Sequence, residues 1–341
     1  MRPVRVFQVA AIAVRAITLP ALVALSAMCL GSAQAADVAA GREELSLLAG
    51  SISSQSNWPM SYAWALSYRH VWKPYFSTTM SYLNQGHFPG HHRDGISAEA
   101  WTQADFFDHH LTLAVGGGPF HYFDTSVASR GGSYADNHGW SWLYSASATL
   151  RPSHRHWFAE VRFDQAAPAQ SIRTSSVMFG AGLQLSPDPR PRTSSRWESA
   201  FNQSELTVFY GQTIVNSFSS QTSAAQAAEL RHAFNDFARA SIGFINEGNA
   251  QLIRRSGAIV QAWGEPAFFN DKFSVGFGAG VYAAIDKYRA SAGRHLSAIV
   301  SLTLSYRLVD QLAVRADWHR IGTNYDRDTD IMLFGLGYRF Y

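Results

Sequence analysis

The sequence predicts an all-β chain: antiparallel transmembrane strands closed as two tandem eight-stranded barrels or, alternatively, as one sixteen-stranded barrel. Three observations predict it. A long segment recurs at a fixed offset of 162 residues, apolar and polar residues alternate with period two over many short stretches, and no apolar run reaches the roughly 18 residues a spanning helix needs.

Residues 1–35 are set apart first. Arg2, Arg5 and Arg15 precede an apolar run from Ala16 to Leu30, and Ala33-Gln34-Ala35 supplies a small-x-small cleavage site, so a secretory signal peptide is expected. Cys29, the chain's one cysteine, falls inside it and follows Met28 rather than the small residue of a lipoprotein signal. The mature chain then offers neither disulfides nor thiolate ligands. Removing three arginines and no acid brings 28 basic residues level with the 25 acidic ones, which argues against a nucleic-acid partner.

The repeat runs without a gap from Arg69-His70, matched by Arg231-His232, to Asp124, matched by Asp286. Asn84, Gly86, Arg93, Gly95, Trp101, Phe106, Gly116 and Gly118 recur within it, which points to an internal duplication. Beyond Asp124 the offset shortens to 155. The expected organisation is a first barrel over 36–185, a proline-rich periplasmic linker over 186–204 ("SPDPRPRTSSRWESAFNQS"), and a second barrel over 205–341.

Period-two alternation predicts strands in the first copy at 44–51, 61–69, 75–84, 95–103, 110–122, 141–151, 156–165 and 175–185. In the second it predicts 205–213, 224–232, 237–246, 257–265, 272–284, 296–307, 311–320 and 330–341. The segment 224–232 lies in "SAAQAAELRH", rich in helix formers, and alignment with "SYAWALSYRH" alone makes it a strand. Short connections such as "HVWKP" and "LVDQ" take turns with long polar ones such as "NQGHFPGHHRDG", the loop asymmetry of outer-membrane barrels.

Strand 311–320 displays both faces. Leu312, Val314, Ala316 and Trp318 alternate with Ala313, Arg315, Asp317 and His319; in the first copy Trp157, Ala159, Val161 and Phe163 alternate with Phe158, Glu160, Arg162 and Asp164. Aromatics near the strand ends suit an interfacial girdle, which places the apolar face against lipid and the charges inside. Thr112, Ala114, Gly116 and Gly118 are expected inside beside Glu99 and Trp101, and Ser274, Gly276, Gly278 and Gly280 beside Gln261 and Trp263. Small against large fills a narrow lumen.

The last stretch alternates Met332, Phe334, Leu336, Tyr338 and Phe340 with Leu333, Gly335, Gly337, Arg339 and Tyr341. With the strand count and loop asymmetry, it makes the mature chain resemble the small eight-stranded outer-membrane barrels, a group that includes OmpA-type, OmpW-type and lipid A deacylase (PagL-type) proteins. The resemblance implies a Gram-negative outer-membrane location, and the aromatic ending resembles the signal read by the barrel assembly machinery.

His87, His91, His92, Arg93 and Asp94 crowd one segment, but the second copy has Asn249, Ile253, Arg254 and Arg255 at the aligned places. A metal site wants ligands fixed on a rigid frame, so a solvated loop is expected here, with no metal and no cofactor. The better candidate is the polar ladder of the lumen: Glu99, Glu160, Arg162, Asp164, Arg315, Asp317 and His319, either paired across a filled interior or forming a polar path. His319 also invites comparison with the lipid A deacylases, but Ile321 stands where their serine is expected. Arg93, Arg254, Arg255, Arg320 and Arg327, near loop ends, are candidates for lipopolysaccharide phosphates.

The expected function is that of a non-enzymatic outer-membrane barrel, structural or porin-like in passing small solutes or secreted polymer. The alternative is a lipid A-modifying acyl hydrolase of the small-barrel type. Expected partners are outer-membrane lipid, lipopolysaccharide and the barrel assembly machinery.

Overall fold

The computed structural model describes residues 41–55, 60–127, 134–153, 156–185, 203–235, 237–269 and 271–340. The expected signal peptide and nearly all of the expected linker lie outside them. The described residues form β-strands joined by turns.

The first ring is built from β1 (Arg42–Ser54), β2 (Ser61–Lys73), β3 (Phe76–Phe88), β4 (His91–Phe106), β5 (Leu111–Ser126), β6 (Ala135–Leu150), β7 (Trp157–Ala166) and β8 (Thr174–Leu185). These follow one another around a closed barrel, sealed where β1 pairs antiparallel with β8, Leu48 opposite Gly180. The second ring is built from β9 (Ser204–Val215), β10 (Thr222–Ala233), β11 (Ala238–Asn249), β12 (Arg254–Gly264), β13 (Ala267–Phe268), β14 (Phe273–Asp286), β15 (Gly293–Val309), β16 (Leu312–Gly322) and β17 (Thr329–Phe340). It closes through β17 on β9 and β12 on β14, while the two-residue β13 only flanks β14. The chain thus closes twice, and the single sixteen-stranded barrel does not form. Compactness likewise divides the chain into two units.

Exposure is inverted relative to a soluble protein. Outward positions carry Leu296, Phe334, Phe179, Tyr210 and Val208, with Leu296 71% and Phe334 70% exposed, while the inward Arg162 is 0% exposed and Arg315 3%. A water-soluble fold hides its apolar side chains and exposes its charges; these rings do the reverse, as a barrel seated in lipid must. Closure pairs the backbone groups around each ring and leaves no edge facing hydrocarbon. The architecture is that of outer-membrane β-barrels.

The strands run further than their alternation. β3 continues to Phe88 and β4 starts at His91, so "NQGHFPGHHRDG" is mostly a hairpin with Pro89 and Gly90 at its tip, not the long loop expected. His87, His91, His92, Arg93 and Asp94 accordingly stand on strands. β10 forms over the alanine-rich segment, with Ala225, Ala227, Glu229 and Arg231 turned inward.

Candidate functional site

The expected small-against-large packing is present in both lumens. A Cβ placed on Gly116 would lie 2.4 Å from the Trp101 ring, and one on Gly278 2.6 Å from the Trp263 ring, so glycine is what lets each indole lie against the neighbouring strand. Arg69 and Arg162 stand over Trp101, their guanidinium carbons 5.1 and 5.2 Å from the ring centroid, and Arg231 stands 3.7 Å from that of Trp263.

Around these indoles the charges pair. In the first ring Arg162 bridges to Glu99 and donates to Asp164 at 2.7 Å, with further donation to Ser67 and Ser81. Glu160 does not join that group; it accepts from Arg69 at 3.2 Å. Ser145 donates to Glu99 at 2.6 Å, and Glu44 takes up Arg42 and Arg151, each at 2.8 Å. In the second ring Arg315 donates to Asp317 at 2.8 Å and to Glu229 at 3.1 Å, and reaches Glu205 at 3.5 Å. Arg231 holds Glu229 and Glu265, both at 2.7 Å, and Arg339 holds Glu205 at 2.6 Å. All but the half-buried Arg42 are buried, and burial strengthens each pair while penalising any charge left alone.

Of the predicted ladder, then, Glu99, Arg162 and Asp164 come together, as do Arg315 and Asp317. Glu160 is drawn to Arg69. His319 stands apart in a smaller polar knot, where Ser301 Oγ lies 2.7 Å from His319 Nδ1 and donates to Gln261 Oε1 at 2.6 Å. The serine missing from position 321 is therefore supplied from β15, but inside the lumen. The outward side of β16 carries Leu312, Val314, Ala316 and Trp318. With the Ser301 proton directed to Gln261, its oxygen accepts from the imidazole rather than being activated by it.

Sequence reading missed Arg69, Arg231, Glu44, Glu205, Glu229, Glu265 and Ser301. Arg69 and Arg231 were the first matched residues of the repeat, and that recurrence was the signal available. The carboxylates recur at no fixed offset, and their partners come from strands far apart in sequence.

Above the charges lies an apolar stratum. In the second ring Phe209, Ala227, Ile245, Ile259, Tyr282, Ile299, Ile321, Ile331 and Leu333 form one buried cluster. On four strands the apolar member lies nearer the loop end than the polar or charged residue below it: Ile321 above His319, Ile259 above Gln261, Ile299 above Ser301, Phe209 above Glu205. The first ring repeats the order with Leu48, Ile52, Ala63, Ala65, Leu83, Phe120 and Leu143, while Met178 lies level with Arg162 across β7 and β8.

A third layer closes the loop end. Arg93 donates to Gln85 at 2.5 Å, to Ser171 at 3.0 Å and to Thr174 at 2.6 Å. At the matching place in the second ring Arg255 donates to Glu247 at 2.9 Å, to Tyr325 at 2.8 Å and to Thr329 at 3.0 Å. Burial raises the Tyr325 phenol above its ordinary range, so the hydroxyl that accepts from Arg255 stays protonated. Arg320, also buried, pairs with Asp330 at 2.8 Å. Arg93, Arg255 and Arg320 are thus committed within the protein, contrary to their expected availability for lipid phosphates. The histidine segment is likewise internally engaged, His91 with Asp124 at 2.8 Å and His87 with Tyr62 at 3.3 Å. Among the described residues no three His, Cys, Asp or Glu side chains converge to hold a metal.

No protein-family model matches the chain, and no curated protein matches its sequence. Among solved structures it is similar to the N-terminal β-barrel domain of Pseudomonas aeruginosa OprF, at 14% identity over 42% of this chain and 98% of that one, with a TM-score of 0.34. It is similar to the NanC porin at 9% identity over 86% and 98% of the two chains, TM-score 0.22. A third likeness is to an outer membrane channel from Pseudomonas putida F1, at 10% identity over 91% and 98%, TM-score 0.22. Similarity at this level leaves the chain's own geometry as the ground for its function.

Proposed function

We propose that this chain is a non-enzymatic outer-membrane protein whose two barrels are closed to solutes and serve as structural units seated in the membrane. The apolar stratum carries the reading. A solute following the ladder would have to part buried ion pairs and then cross a closely packed layer dominated by isoleucine, leucine and phenylalanine, where Tyr282 and Thr213 are the polar side chains it meets. The porin-like alternative needs a continuous wet path, and the layer interrupts it in each ring. A hydrolase acting on lipid would need Ser301 and His319 on the outward face, and both point inward.

The two rings are read as copies of one ancestral barrel. Arg69, Trp101 and Gly116 recur as Arg231, Trp263 and Gly278, one lumen motif at one offset of 162. Residues 1–35 would direct export, and the aromatic alternation of β17 would present the chain to the barrel assembly machinery.

Single-channel recording of the purified chain in planar bilayers tests the closed state. Insertion without sustained conductance is expected; stable open steps would overturn the proposal.

A further inference from the structure

Three cations stand together on the outward face of the second ring at its loop end. Arg254 opens β12, Lys287 follows β14 directly, and Arg294 lies at the start of β15. The Lys287 amide donates to the Arg254 carbonyl at 2.9 Å, which sets these two residues side by side across β12 and β14. Arg294 pairs with Ile285 across β14 and β15, one outward position below Lys287. All three are exposed, and along their strands they share parity with the outward residues Ala258, Ile285 and Leu296.

Like charges directly opposite one another on a sheet face destabilise it unless something neutralises them. Among the described residues none of the three makes an ion pair. The nearby carboxylates are turned away: Asp286 points into the lumen, accepting from Ser291 Oγ at 2.8 Å and from the Tyr288 amide at 2.8 Å, and Glu247 is held by Arg255. Just below the cations the outward surface is apolar, with Ala258 and Val260 on β12, Ile285 and Val281 on β14, and Leu296 on β15. The face therefore offers positive charge at headgroup height directly over a hydrocarbon-facing band.

We infer that Arg254, Lys287 and Arg294 bind the phosphate groups of a phosphorylated glycolipid of the outer leaflet, whose acyl chains lie along Ala258, Ile285 and Leu296. The inference rests on the loop end facing outward in the outer membrane, and it narrows the expected lipopolysaccharide contact to one patch. Arginine and lysine suit the two parts of such a headgroup: guanidinium planes take phosphate oxygens in pairs, and the ammonium acts as a point charge between them. In the first ring His92, Thr125 and Gly139 occupy the positions aligned by the repeat, so the site belongs to the second barrel alone.

The test is lipid retention by the full-length protein in neutral detergent, read by native mass spectrometry with bisphosphorylated lipid A or its fully dephosphorylated form. The probe pair separates phosphate recognition from acyl packing. The triple variant R254S/K287S/R294S is expected to retain bisphosphorylated lipid A about tenfold less well than the wild type, the loss appropriate to charge-assisted contacts. K272S, which removes an exposed cation at the opposite end of the ring, is expected to change nothing. Equal retention by the wild type and the triple variant overturns the inference, as does an equal loss for the dephosphorylated lipid. Complete displacement of lipid A by millimolar inorganic phosphate also overturns it, since the patch would then be a free-phosphate site. Heat-modifiable gel mobility, measured on every variant, separates a lost site from a lost barrel, and neither readout depends on whether the lumen conducts.

Discussion

Arg231 lies over Trp263, its guanidinium carbon 3.7 Å from the ring centroid, and Gly278, paired with Trp263 on the adjacent strand, leaves the indole room to lie there. The contact joins the two means by which the lumen is filled, a large ring against small residues and a buried cation against a π-face.

An added methyl group at this wall has nowhere to go. Gly278→Ala and Gly116→Ala each drive a Cβ into an indole that is itself clamped by arginine, and each is expected to cost about 1–3 kcal/mol. Urea titration of the folded protein in detergent micelles, followed by tryptophan fluorescence, measures the loss. A midpoint unchanged in both variants would mean that the rings are not in contact with the glycines.

The buried charges behave as a network rather than as a set of separable pairs. Arg315→Met leaves Asp317 to Arg231, at 3.7 Å, while Glu229 keeps Arg231 at 2.7 Å and Glu205 keeps Arg339, and is expected to destabilise by about 3–5 kcal/mol, the cost of a buried charge deprived of its close partner. Neutralising that carboxylate, as in Arg315→Met with Asp317→Asn, is expected to recover part of it. A double-mutant cycle measured by the same titration gives the coupling, and a cycle that closes at zero contradicts the geometry.

Arg255 ties β11, β12 and the connection between β16 and β17 through Glu247, Tyr325 and Thr329. Arg255→Ala is expected to release residues 323–328, so that limited proteolysis of the protein in micelles cuts there several-fold faster while the barrel itself resists. Unchanged cleavage would assign that segment's order to other contacts.

The membrane-crossing part of each strand was legible because lipid on one side and a packed lumen on the other force alternation onto the sequence. Where the strands pass beyond the lipid both faces are polar and the period vanishes, although hairpin hydrogen bonding continues. That is why β3 and β4 run to Phe88 and from His91 through a segment that reads as loop. β10 was legible only through its repeat partner, since alanine serves both faces equally well. In the candidate site, Arg162 and Arg315 announced themselves by alternation, whereas Glu229, Glu265 and Ser301 did not. Cross-lumen pairing depends on which strands face one another, and a single strand's pattern carries no information about that. The apolar stratum escaped notice for a related reason: Ile245, Ile259, Ile299 and Ile321 are scattered among four strands and become a layer only when the ring closes.

The account stands on lipid meeting one side of each strand and a sealed lumen meeting the other. Bimane placed singly by cysteine substitution along β17 of the protein reconstituted in vesicles of brominated phosphatidylcholine reads this directly. Quenching is expected at Met332→Cys, Phe334→Cys, Leu336→Cys and Tyr338→Cys and absent at Ile331→Cys, Leu333→Cys, Gly335→Cys and Gly337→Cys, a strict period of two. Uniform quenching, or the opposite phase with Leu333 in contact with bromine and Phe334 protected from it, would contradict it.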